Sequence, residues 1–177
     1  MTETAENLPL TPDDTRRLAQ GMAVIRILFG LTFLLNGIAK LFEFHQVHIG
    51  HYVANLIDKA DARFILDYEV NRNARYQLPL LGRITNDLLL PNWSVVQWLL
   101  TIAELTAGVL LVLGVASRLG ALIALLQAGL LFFVYFSNDR WLPEEFLLVV
   151  PLAVLAMVPA GRTWGLDRRL DRHRWPT

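Results

Sequence analysis

From Leu18 to Phe44 apolar residues run almost without a break. At ~1.5 Å rise per residue a helix over this stretch is about 40 Å long, enough to cross a hydrocarbon core of ~30 Å. Three more apolar runs follow, over residues 94–115, 119–136 and 143–159, and no run between 45 and 92 is long enough to cross. The pattern predicts an all-α fold: a four-transmembrane-helix antiparallel bundle forming a single membrane domain over 1–177, its first helix spanning about 18–44, with a long insertion (45–92) between helices 1 and 2 and a tail over 160–177. Thr11-Pro12-Asp13-Asp14 reads as a helix start, with a capping threonine, a proline suited to the first turn and carboxylates at the positive helix end. Ser94 and Gln97 have capping-box spacing at the head of the second span. Pro143 suits the first turn of the fourth span, and Pro151 inside it predicts a kink. Within the insertion, Ile49, Tyr52, Val53, Leu56, Ile57, Ala60, Phe64 and Tyr68 recur at helical spacing opposite Asp58, Lys59, Asp61 and Arg63, predicting an amphipathic helix over about 48–68. Residues 72–77 read as loop and 80–90 as another short helix.

The spans are not uniformly apolar. Arg26, Gly30, Phe33, Gly37 and Lys40 are spaced 4, 3, 4 and 3, which places them on one arc of the first helix. An arginine inside a span costs at least ~2.5 kcal/mol if it meets lipid, so this face must look into protein. The second span carries its own stripe, Gln97, Thr101, Glu104 and Gly108, and Glu104 is the only acid in the interior of any span, away from its ends. If the first span rises from Ala19 and the second descends to Val115, Arg26 and Glu104 lie ~11 Å and ~16 Å from the same boundary. This predicts a buried Arg26–Glu104 pair with Asn36, Thr101 and Gln127 as polar neighbours, and with Gly30, Gly37 and Gly108 permitting close helix approach. Such a pair either fixes the bundle register or contacts a ligand headgroup or relays protons. Lys40 and Glu43, three apart near the end of the span, read as a surface pair or as headgroup ligands at the bundle mouth.

Composition agrees with a membrane domain: 54% of the 177 residues are hydrophobic and 18% charged, and the mean hydropathy is +0.41. A net charge of zero gives no footprint for nucleic acid. The absence of cysteine removes disulfides, thiol relays and iron–sulfur ligation. The acidic N-terminal segment lacks a basic n-region and a small-residue cleavage site, so the first span is expected to stay in place. Arg16, Arg17, Arg118, Arg162, Arg168, Arg169, Arg172 and Arg174 fall on one side of four spans, against Arg140 in the short loop opposite. That imbalance predicts cytoplasmic termini and an extracytoplasmic insertion, whose five basic and five acidic residues cancel. His45, His48 and His51 are three apart; successive steps rotate around a helix, so a three-ligand metal site is awkward and a pH-responsive surface is the simpler reading. Trp93, Trp98, Trp141, Trp164 and Trp175 lie near span ends, as an interfacial belt does.

Arg26-x3-Gly30-x2-Phe33-x3-Gly37-x2-Lys40, Glu104-x3-Gly108-x2-Leu111-x2-Gly114-x3-Arg118-x2-Ala121, and Pro159-Ala160-Gly161-Arg162 followed by Leu166-Asp167 together resemble the DoxX/DoxD-like membrane proteins. The resemblance covers all four spans and implies an antiparallel four-helix bundle in the cytoplasmic (inner) membrane. The long insertion looks more like the DoxD-type quinone-linked members. The resemblance therefore implies a membrane subunit of a quinone-linked oxidoreductase, of the thiosulfate:quinone type, working with a second subunit on the extracytoplasmic face. On that reading Arg26 and Glu104 are the catalytic candidates, and Asn36, Lys40, Gln97, Thr101 and Gln127 hold a quinone bound without a covalent link, while the outer tryptophans wall its entrance. The competing expectation is a non-catalytic anchor or accessory subunit of a respiratory or oxidative-stress membrane complex, favoured by the lack of cysteine, of a mid-membrane histidine and of a nucleotide motif.

Overall fold

The computed structural model describes residues 11–73, 78–136 and 142–168. Helix α1, Pro12–Phe42, opens on a full capping box in which Thr11 accepts from the Asp14 amide and Asp14 returns the bond. It closes at Glu43, whose amide donates to the Ala39 carbonyl and whose left-handed backbone (φ 57°) turns the Phe44 amide back to the same carbonyl at 3.1 Å. The next segment departs from the expected helix. Gln46–Ile49 (β1) and Tyr52–Asn55 (β2) form an antiparallel hairpin with Ile49 opposite Tyr52. Its two-residue turn has Gly50 first, at φ 61°, a conformation that glycine adopts without strain. Helical structure begins only at α2, Lys59–Asp67, capped by Asp58 and continued by a π-helical turn over Tyr68–Arg72. A short helix α3, Pro79–Arg83, passes into a second π-helical stretch, Ile84–Leu89.

Helices α4 (Trp93–Leu113), α5 (Ser117–Phe136) and α6 (Leu142–Met157) follow. Ser94 does not cap α4. The helix starts behind Asn92, whose amide turns away to the Leu88 carbonyl, and Gln97 donates back to the Ser94 carbonyl at 3.4 Å. Pro143 and Pro151 both lie within α6. A 3₁₀ turn at Ala160–Arg162 leads the chain back towards the α4–α5 connection.

Helices α1, α4 and α5 are each long and apolar enough to cross a membrane, whereas the apolar part of α6 is the shorter Phe146–Met157. Their side chains are distributed as lipid demands. Leu99, Leu126 and Leu147 are 62%, 75% and 74% exposed, while Arg26, Lys40 and Thr101 are buried. Water would penalise that arrangement and hydrocarbon favours it.

Helix α1 packs most extensively on α4, and glycine sets how closely. A Cβ built on Gly108 would stand 2.5 Å from the Leu34 amide nitrogen, and one on Gly37 2.9 Å from that of Leu105. Backbone cannot yield as a side-chain tip can, so these positions admit only hydrogen. Gly30 meets Leu111 and Val112 in the same way. The contacts run in opposite directions along the two helices, fixing an antiparallel register. Helix α5 covers α4, and α6 covers α5 and touches α1, around Phe33, Ala107, Leu111, Ala121, Ala124, Leu152 and Leu155. A second cluster of Leu66, Val70, Trp93 and Val134 ties the insertion to the hairpin end of these helices.

Candidate functional site

Arg26 and Glu104 do not meet. Equal depth for Ala19 and Val115 would set Gly30 level with Glu104, but Gly30 faces Val112 instead, a displacement of eight residues or ~12 Å. Glu104 therefore sits level with the last turn of α1, and its partner is Lys40, with Nζ 3.0 Å from Oε2. Lys40 is accordingly not half of a surface pair with Glu43, which binds Lys59 at 2.8 Å.

Arg26 lies instead at the α4–α5 connection, fully buried, where it donates from Nη2 to the Trp164 carbonyl at 3.2 Å. Side chains at Gly114 or Gly165 would overlap its guanidinium. Around it, residues 160–167 clamp two helix ends. The amides of Leu166 and Asp167 donate to the Leu113 and Gly114 carbonyls, covering the end of α4. The Asp167 carboxylate accepts from the Ala116 amide at 2.7 Å, the Ser117 amide at 3.2 Å and the Ser117 hydroxyl at 2.8 Å, capping the start of α5. The Gly161 amide in turn donates to Ser117 Oγ at 3.1 Å. Two non-glycine residues hold left-handed backbone here, Ala116 at φ 44° and Trp164 at φ 52°. Each costs of the order of 1 kcal/mol, which the bonds of the clamp offset. This cluster does structural chemistry: it joins chain segments and leaves Asp167 with its acceptor sites occupied. Residues 160–167 of the tail therefore form a clamp, and Arg168 follows it; residues 169–177, with Arg169, Arg172, Arg174 and Trp175, lie outside the described residues, as do Trp141 and Arg140.

The Lys40–Glu104 pair lines a cavity of about 560 Å³ between α1, α4, α5 and the insertion. Its wall is dominated by apolar side chains, among them Phe33, Leu66, Trp93, Leu100, Leu131 and Val134. Polar groups enter from three helices. Asn36 and Lys40, one turn apart on α1, together hold both polar groups of the Ile57 peptide. Asn36 Oδ1 accepts from its amide at 2.9 Å and Lys40 Nζ donates to its carbonyl at 2.8 Å. Glu104 comes from α4 and Gln127 from α5. Buried Gln127 Nε2 has no hydrogen-bond partner, whereas Glu104 Oε2 is held by its ion pair with the Lys40 ammonium.

Four of the residues expected to surround a ligand thus share one wall: Asn36, Lys40, Glu104 and Gln127. Two do not. Thr101 is buried but returns its hydroxyl to the Gln97 carbonyl at 2.7 Å, and Gln97 lines a second, polar hollow of about 950 Å³ with Glu43, His45, Asp58, Lys59 and Arg63. Trp93 borders both spaces and is buried, so it is not part of a lipid-facing belt. Trp98 is half exposed and carries the Lys59 ammonium 4.2 Å above its ring. His45 approaches Asp58 at 3.8 Å, His48 stands in β1 and His51 in the hairpin turn. Among the described residues no three histidine or acidic side chains form a metal-binding group. The role of Ile57 had no signal in the sequence, because it acts through its backbone.

No protein-family model, curated protein or solved structure matches this chain.

Proposed function

We propose that this chain is a quinone-binding membrane subunit of an oxidoreductase, built as an antiparallel four-helix bundle in the cytoplasmic membrane with α6 as the fourth span. Its termini face the cytoplasm, and the hairpin and α2 lie on the opposite side, where an electron-donating subunit would dock. The observation that carries this reading is the cavity: a mostly apolar chamber between the long apolar helices and the insertion, with one ion pair and one unpartnered amide on its wall. A volume of about 560 Å³ is in the range of small-molecule sites. An isoprenoid quinone suits it chemically, since its ring and tail match the leucine-rich wall and its oxygens meet Lys40 and Gln127. The resemblance of the glycine and charge stripes to the DoxX/DoxD-like proteins supports the same choice. The roles shift accordingly: Lys40 and Glu104 hold the headgroup, Asn36 and Gln127 flank it, and Arg26 belongs to the clamp.

The second reading, a non-catalytic anchor, is favoured by the absence of cysteine anywhere in the chain, which leaves electron transfer to a bound partner. The two separate on purified protein. Incorporated into lipid nanodiscs, the chain is expected to quench its tryptophan fluorescence saturably on titration with a short-chain prenylated benzoquinone, through Trp93 at the cavity wall. Quenching that grows linearly with added quinone, as simple partition into lipid does, would leave the anchor reading standing.

A further inference from the structure

Unmade hydrogen bonds inside a protein are costly, about 1–3 kcal/mol for each buried group, so those that persist in a cavity point to what fills it. Two polar groups of opposite kind stand on this wall. Gln127 Nε2 on α5 is a donor without an acceptor, and the Glu104 carboxylate on α4, paired through Oε2 with the Lys40 ammonium at 3.0 Å, keeps acceptor capacity for a further donor. Asn36 is already engaged with the Thr32 carbonyl and the Ile57 amide, and Lys40 with the Ile57 carbonyl.

The oxidised and reduced forms of a quinone differ in the property these groups read. A quinone ring offers two carbonyl oxygens, which only accept. A quinol offers two hydroxyls, which donate as well. The Gln127 amide is satisfied by either form, as is the remaining donor capacity of the Lys40 ammonium. The Glu104 carboxylate is not: a carbonyl oxygen turned towards it is repelled, whereas a hydroxyl donates a charge-assisted hydrogen bond. Resting on the quinone reading above, we infer that the cavity is a quinol site, which holds the hydroxylated, reduced form in preference to the oxidised one, with Glu104 as the discriminating residue. Each tenfold preference raises the midpoint potential of the bound two-electron couple by ~30 mV relative to the free one.

The test is an anaerobic titration of the whole chain in nanodiscs with three ligands sharing one short prenyl tail. They are the benzoquinone, its quinol, and the quinol with both hydroxyls methylated, which accepts but cannot donate. The quinol is expected to bind ~10-fold more tightly than the quinone, the size of one charge-assisted hydrogen bond, and the dimethyl ether no better than the quinone. The Gln127→Leu variant is expected to weaken quinone and quinol alike and keep their ratio. The Lys40→Met/Glu104→Leu double variant, which removes both charges together, is expected to bring the ratio to about one. Equal binding of quinone and quinol by the unmodified chain overturns the inference while leaving a quinone site intact, as does a dimethyl ether that binds as tightly as the quinol. Failure of all three ligands to bind removes both the inference and the reading beneath it.

Discussion

Lys40→Met is expected to lower the stability of the folded protein by about 3–5 kcal/mol, the usual cost of removing one member of a buried ion pair. The lysine side chain is 3% exposed and the Glu104 side chain 14%, so neither charge has water to fall back on. Without the ammonium, the carboxylate faces an apolar wall and the Ile57 carbonyl loses its donor. Adding Glu104→Leu is expected to restore most of the loss, because a wholly apolar pair carries no uncompensated charge. The recovery should stop about 1 kcal/mol short, since the Ile57 carbonyl stays unpaired. Thermal unfolding in a fixed detergent, followed by circular dichroism, measures both values. A single variant as stable as the parent would mean that the pair is hydrated, and the cavity with it.

Arg26→Met is the second large effect, and of a different kind. Arg26 has no accessible surface, and its guanidinium is the only side chain that reaches the Trp164 carbonyl among the described hydrogen bonds. Methionine fills much of the volume but cannot make that bond or balance the nearby Asp167 carboxylate. A loss of about 2–3 kcal/mol follows, in the range for a hydrogen bond to a charged group. It should appear locally, as faster proteolysis of residues 160–168, because those residues are held by the clamp. Quinone affinity of the folded fraction should not change, since Arg26 does not line the cavity. A stable Arg26→Met protein that no longer binds quinone would reverse this assignment and return Arg26 to the site.

Those two arginine and lysine positions show what the chain reveals before it is folded. That both must face protein was legible, because the cost of a charge in hydrocarbon acts on a single helix and periodicity alone gives the face. Which acid each would meet was not. Hydropathy marks where apolar residues begin, whereas axial register is set where Gly108 meets Leu34 and Gly37 meets Leu105, contacts between segments some 70 residues apart. Helix α1 also begins at Pro12, six residues before its apolar run, so aligning the runs misplaced the helices. Thr11 was legible because a cap is local. The hairpin was not: Ile49, Tyr52 and Val53 fit helical spacing as well as strand alternation, and the deciding residue was Gly50, a turn signal inside an otherwise plausible helix. The Asp167 clamp joins positions about 50 apart and depends on left-handed backbone at Ala116 and Trp164, which no propensity favours.

The central claim is that a quinone headgroup lies between α1, α4 and α5 beside Lys40 and Glu104, and photolabelling tests it most directly. An azidoquinone irradiated in nanodiscs with the purified chain, followed by peptide mapping, is predicted to mark residues within 32–40, 93–104 or 127–134, with labelling abolished by excess unlabelled quinone. Labels confined to lipid-facing residues such as Leu126 and Leu147, or to the clamp at 160–167, and indifferent to competitor, would contradict it.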